Sequence, residues 1–236
     1  MKVVKSPNFD ERQNGKIKYL ILHYTGMATG KEALERLCSK EAKVSAHYLV
    51  EEDGEIFSLV DEEKRAWHAG ISKWEDDVGL NDLSIGIEIV NSGHPYAGYE
   101  SVYKPFPEAQ MKSVISLSKD ILKRHQIKPW HVLGHSDIAW RRKIDPGELF
   151  DWERLSKEGI GVWVNKDKGT LIEKENAKEF LKNLSEYGYD IDGVDGNTSE
   201  ITTAFQRHFR PSNIDGHIDK ETIMILKKLI ELKSNL

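Results

Sequence analysis

Ser84-Ile85-Gly86-Ile87-Glu88-Ile89-Val90 is the stretch on which the fold turns. Side chains alternate across an extended backbone, so Ile85, Ile87 and Ile89 share one face and Gly86, Glu88 and Val90 the other. The isoleucine face predicts a strand packed in a sheet. Its opposite face is harder to explain, because a carboxylate in mid-strand is costly unless it meets a cation, water or hydrogen-bond donors. Two readings stay open: an edge strand with a solvated Glu88, or a carboxylate aimed into a polar centre across the space that Gly86 leaves.

Working outward, further strands are expected from Ile17 to His23, in a hairpin from His47 to Val60 turning at Asp53-Gly54, and from Trp130 to Leu133. Between the last two lies a helix, Glu108 to His125. Its Met111, Val114, Ile115, Leu117, Ile121 and Leu122 recur near the 3.6 period, and Pro107 suits its first turn. Strands and helices alternating from 17 to 160 predict an α/β class. Beyond them three short helices are expected, around Ala177–Tyr187, Ser199–Phe209 and Lys220–Leu232, the last two each following an Asp-Gly turn. The Gly- and charge-rich stretch from Gly159 to Gly169 marks the passage between two units. The division is therefore a first domain over 1–160, a linker over 161–174 and a small helical domain over 175–236.

Composition narrows the classes. A chain of 236 residues with 39% hydrophobic and 31% charged side chains has a core to bury and lacks the apolar-poor bias of disorder. Its net charge of −5 gives no reason to expect a nucleic-acid partner. A single cysteine, Cys38, excludes an intramolecular disulfide and a multi-cysteine metal cage. Apolar runs stay far below the roughly 20 residues of a membrane span, and Met1–Asp10 has no apolar signal-like core, so neither a span nor the usual export route is expected.

The chemistry-bearing residues cluster at strand ends. His23 closes Leu20-Ile21-Leu22-His23, His135 closes Val132-Leu133-Gly134-His135, and Asp145 follows in Lys143-Ile144-Asp145-Pro146-Gly147. Two imidazoles and one carboxylate, with a fourth position left to water, form a catalytic zinc set. Spacing alone does not separate this from ordinary histidines. Near such a set Glu88 would serve as general base. Lys143, two residues before Asp145 and on the same side of an extended segment, would stabilise an oxyanion or else be a solvated charge.

Six ordered motifs then carry a resemblance: Leu22-His23-Tyr24-Thr25, Val44-Ser45-Ala46-His47-Tyr48, Trp67-His68-Ala69-Gly70, Ser84-Ile85-Gly86-Ile87-Glu88, Gly134-His135-Ser136-Asp137-Ile138-Ala139 and Lys143-Ile144-Asp145-Pro146-Gly147. Over about residues 17–155 the chain resembles the zinc-dependent N-acetylmuramoyl-L-alanine amidases of the type 2 family. The resemblance implies a mixed central β-sheet flanked by helices, Zn2+ held by His23, His135 and Asp145, Glu88 as catalytic carboxylate and Lys143 as oxyanion-stabilising lysine. Ala46 stands where some phage members carry a catalytic tyrosine, which leaves proton transfer to Glu88. Asp145 replaces the cysteine ligand of those members, pointing to the bacterial recycling and cell-wall branch. His47 is read as a structural hydrogen-bonding histidine, and Trp67 and His68 as lining the sugar or peptide cleft, with core packing the alternative for Trp67.

The C-terminal segment resembles a three-helix peptidoglycan-binding domain through Gly188-Tyr189, Asp192-Gly193, Thr203-Ala204-Phe205-Gln206 and Asp215-Gly216-His217-Ile218-Asp219-Lys220-Glu221-Thr222. Its alternative is a helical cap that stabilises the enzyme. The implied function is hydrolysis of the amide between N-acetylmuramic acid, or its anhydro form, and L-alanine of the stem peptide. The competing classes are a non-catalytic muropeptide recognition module and a zinc endopeptidase of the stem peptide. Peptidoglycan or muropeptides are the expected partners, with no nucleic acid, and a monomer is expected. A wall-binding domain argues for the periplasm or envelope, which is the expected location, and the absence of a visible signal makes the cytoplasm the alternative.

Overall fold

A computed structural model describes residues 1–13, 15–165 and 176–235. Of the expected linker, 166–174 lies outside the described residues, as do residues 175 and 236 of the expected C-terminal unit.

The strands that matter are β1 (Lys2–Val3), β2 (Phe9–Glu11), β3 (Tyr19–Tyr24), β4 (Tyr48–Val50), β5 (Ile56–Ser58), β6 (Lys64–Ala66), β7 (Lys73–Trp74), β8 (Asp77–Val78), β9 (Ser84–Ile89) and β10 (Val132–Gly134). Six of them form one mixed sheet in the order β1-β5-β4-β9-β3-β10. The β4–β5 hairpin is antiparallel, whereas β4, β9, β3 and β10 run parallel. Glu88 therefore sits on a strand flanked on both sides, which removes the edge-strand explanation for its carboxylate.

Helices α1 (Gly30–Cys38), α2 (Glu108–His125), α3 (His135–Ile138), α4 (Trp152–Lys157), α5 (Ala177–Tyr187), α6 (Ser199–Phe209) and α7 (Lys220–Asn235) cover the sheet. Helix α2 packs Met111, Val114, Leu117 and Ile121 on Leu20, Leu22, Ile85, Ile87 and Ile89, so the isoleucine face of β9 is buried as its alternation requires. Pro107 stands one residue before α2, as its N-cap. Helix α1 starts on a capping box, Thr29 accepting from the Glu32 N–H and the Glu32 carboxylate from the Thr29 N–H. Its Ala33 and Leu37 pack on Leu49 and Val90.

The C-terminal helices share a core with the sheet. A single cluster joins Tyr19, Ile21, Leu133 and Trp74 to Phe180, Leu184 and Tyr187 of α5, Phe205 and Phe209 of α6, and Ile223, Leu226 and Leu229 of α7. Trp74 is fully buried, edge-on to Tyr187 and Tyr189 with centroids 5.7 and 4.9 Å away. Gly188 permits this approach, since a Cβ there would stand 2.3 Å from the indole. Among the described residues no helix is long and apolar enough to cross a membrane.

Candidate metal centre and cleft

The parallel register sets the site. His23 pairs with Glu88 across β3–β9, and Gly134 pairs with Leu22 across β3–β10, so His135 emerges level with His23. Carboxyl ends of parallel strands are where open α/β sheets build their sites. His135 is not a strand residue: it opens the short α3, which turns its ring inward. The Ser136 N–H donates to the Asp145 carbonyl (2.8 Å), returning the chain so that Asp145 faces both rings.

The three candidate ligand atoms converge. His23 Nδ1 lies 3.0 Å from His135 Nδ1 and 3.1 Å from Asp145 Oδ2, and His135 Nδ1 is 3.1 Å from the same oxygen. All three residues are buried. A triangle of this edge suits an ion about 2 Å from each atom, the zinc–nitrogen and zinc–oxygen range.

The outer contacts decide which nitrogens are free. Ser84 Oγ donates to the Leu80 carbonyl (2.6 Å) and so accepts from His68 Nε2 (3.1 Å), leaving His68 Nδ1 to accept from His23 Nε2 (2.9 Å). His135 Nε2 donates to the Ala69 carbonyl (3.1 Å). Both Nδ1 atoms thus present lone pairs to each other and to a carboxylate, an arrangement that calls for a cation among them. Burial, with the neighbouring His135, lowers the His23 pKa to about 4, keeping the ring neutral near pH 7.

These atoms open into a cavity of 540 Å³ lined in part by Trp67, His68, Glu88, His94, Lys143 and Asp145. Glu88 Oε2 is buried with no hydrogen-bond partner among the described residues. Burial and the Asp145 charge raise its pKa well above the ordinary value, partly offset by Lys143. Lys143 and Glu88 thus line one cleft with His135 and Asp145.

His47 is buried and accepts the Gly86 N–H on Nδ1 (2.9 Å), a structural contact. Trp67 lines the cleft while its indole N–H donates to Asp10 (2.7 Å). His68 lines the cleft as expected, but its contact with His23 was not read from the sequence, and His94 was not read at all. His68 orients His23, and the available signal was Gly86, whose missing side chain makes room for the His68 ring. His94 lines the cavity from a loop, held between Tyr24 (3.1 Å) and Glu148 (3.0 Å), and no periodicity marks it.

A family model described as N-acetylmuramoyl-L-alanine amidase matches residues 13–148. The N-acetylmuramoyl-L-alanine amidase AmiD of Escherichia coli K12 is 39% identical over 232 residues, covering 92% of this chain and 83% of that one. The solved complex of E. coli AmiD with anhydro-N-acetylmuramic acid-L-Ala-D-gamma-Glu-L-Lys superposes with a TM-score of 0.83 at 36% identity, over 95% of this chain and 98% of that one. AmpDh3 of Pseudomonas aeruginosa, solved with anhydromuramic pentapeptide, gives 0.83 at 35% identity over 94% of each chain.

Proposed function

The chain belongs to the N-acetylmuramoyl-L-alanine amidase family, and from that premise we propose that it is a zinc enzyme using His23, His135 and Asp145 as ligands, Glu88 as general base and acid, and Lys143 as oxyanion partner. The reaction is hydrolysis of the amide joining N-acetylmuramic acid, or its anhydro form, to L-alanine of the stem peptide. The observation that carries the zinc reading is the convergence of two Nδ1 lone pairs and a carboxylate oxygen at 3.0–3.1 Å.

When bound, zinc polarises the scissile carbonyl and brings the pKa of water down to about 7. Glu88 supplies the proton traffic. Its unpartnered Oε2 takes a proton from the attacking water and delivers it to the departing L-alanine nitrogen. Lys143, across the same cleft, offsets the negative charge that grows on the carbonyl oxygen. Trp67 and His94 wall the cleft and limit how sugar and peptide enter. A filled set of ligand positions favours the enzyme over a recognition module. Action in the envelope belongs to this reading, because stem peptides still joined to polymer are met there.

Mass spectrometry of soluble products from purified sacculi, with and without chelator, tests it. Chelator-sensitive release of intact stem peptides beginning with L-alanine is expected. Fragments cut within the stem would make the protein an endopeptidase. Retention on sacculi with no cleavage of these or of small anhydro-muropeptides would make it a recognition module.

A further inference from the structure

We propose that His208 and Tyr189, both from the C-terminal segment, are positioning residues for the metal centre, acting through Asp137 on the backbone that carries His135. This rests on the reading of His23, His135 and Asp145 as zinc ligands.

Asp137 is fully buried two residues after His135. A carboxylate there is tolerable only when donors surround it. Three do. The Gly134 N–H donates to Oδ2 (2.7 Å), His208 Nδ1 lies 2.7 Å from the same oxygen, and the Tyr189 hydroxyl donates to Oδ1 (2.6 Å). Gly134 is the residue before His135, so the carboxylate closes the first turn of α3. That helix is four residues long and cannot hold its shape alone. Its orientation, and with it the aim of His135, depends on a charge whose two side-chain donors come from α6 and from the turn after α5.

Both donors are themselves fixed. The His208 ring stacks on Trp152 of α4 at 3.9 Å, and Tyr189 packs against Trp74 at 4.9 Å. The same segment grips the rest of the ligand loop. The Asp190 carbonyl accepts from the Trp140 indole (2.8 Å), its carboxylate from Arg141 (2.7 Å), and Arg207 approaches Glu148 at 3.7 Å. The stretch from His135 to Glu148, which holds two ligands and Lys143, is thus held from the C-terminal side at each end and in the middle. Burial of apolar area alone needs none of these polar contacts.

The test uses the full chain with Tyr189→Phe, His208→Leu and His208→Asn, the last keeping an N–H donor near the position of Nδ1. Zinc affinity is read by competition with a chromogenic chelator. The visible spectrum of the cobalt-substituted protein reports ligand geometry, and kcat and KM are taken at saturating zinc. Tyr189→Phe and His208→Leu are expected to weaken zinc binding by about 10- to 100-fold, to alter the cobalt spectrum, and to lower kcat with KM unchanged. His208→Asn is expected to restore most of the affinity. Parental zinc affinity and cobalt spectrum in Tyr189→Phe and His208→Leu, with only a lower thermal midpoint, would overturn the proposal. If His208→Leu does not fold, Tyr189→Phe decides, since it deletes one oxygen. A parent chain that binds neither metal would instead overturn the zinc reading itself.

Discussion

The imidazole of His68 lies so close over Gly86 that a Cβ at residue 86 would stand 2.5 Å from the ring. Through its Nδ1 that ring fixes His23, 2.9 Å away, and through its Nε2 it rests on Ser84. A missing side chain in the middle of a strand thereby sets the tautomer of the candidate ligand His23 on the next strand.

Gly86→Ala is expected to push His68 aside and free His23 to rotate. Losing such an outer contact weakens metal binding by about 10- to 100-fold, and overpacking adds roughly 1–3 kcal/mol of destabilisation. Chelator competition and urea unfolding measure the two effects separately. Unchanged zinc affinity would show that His68 does not orient the ligand.

Glu88→Gln keeps the shape of the side chain and removes its capacity to carry a proton. Turnover of a muropeptide is expected to fall by about 10²- to 10⁴-fold, the usual contribution of general acid–base catalysis, with zinc content unchanged. Lys143→Ala is expected to cost about 10²- to 10³-fold in kcat. Parental kcat in Glu88→Gln would remove it from the mechanism.

Exhaustive chelation is expected to abolish hydrolysis and lower the thermal midpoint, with both restored by one equivalent of zinc. Zinc present at about 100 times its Kd would stabilise the fold by roughly 2.7 kcal/mol. Calorimetry with and without zinc checks the size, and an unchanged midpoint would show that the triad holds no ion.

Two carboxylates make the fold acid-sensitive. Glu75 is opposed by burial, yet His131 and Lys233 draw its pKa down to about 2; the Glu75–Lys233 pair, at 2.6 Å, ties the β7–β8 turn to α7. Burial likewise opposes Glu62, which Arg124, His125 and Tyr48 bring to about 2. An unfolded glutamate titrates near about 4.3. Because the folded values are depressed, the stabilisation is complete above that pH and is lost as pH falls from about 4 through about 2, roughly 2–3 kcal/mol for each group. Urea midpoints at pH 7 and pH 3 check this, and Glu75→Gln is expected to flatten the difference.

Much of the site was legible because its residues lie on regular elements. Alternation along 84–90 put Glu88 opposite the isoleucine face, and the ends of two apolar runs marked His23 and His135. Of the residues that suggested a wall-binding module, Tyr189 and Gln206 make internal contacts, while Asp192 and His217 stand exposed. Tyr189 holds Asp137, and Gln206 spans the 215–217 turn, accepting the Asp215 and Gly216 N–H groups while donating to the His217 carbonyl. Short Asp-Gly turns and buried tyrosines have the same local pattern whichever surface they serve, so composition could not tell support from recognition.

Hydrophobic period acts within a few positions along the chain, so it marked β3, β4, β5, β9, β10 and the α2 face, while β1, β2, β6, β7 and β8 went unread and the candidate ligands were named by the six motifs. Which nitrogen of each histidine points inward, the place of β9 inside the sheet, and the reach of His208 and Tyr189 to Asp137 follow from the folded arrangement alone. Those outcomes depend on groups tens of residues apart, such as His23 with His68 and Asp137 with His208. Burial makes the hydrogen bonds of such groups obligatory, yet their partners exist only once the core has closed.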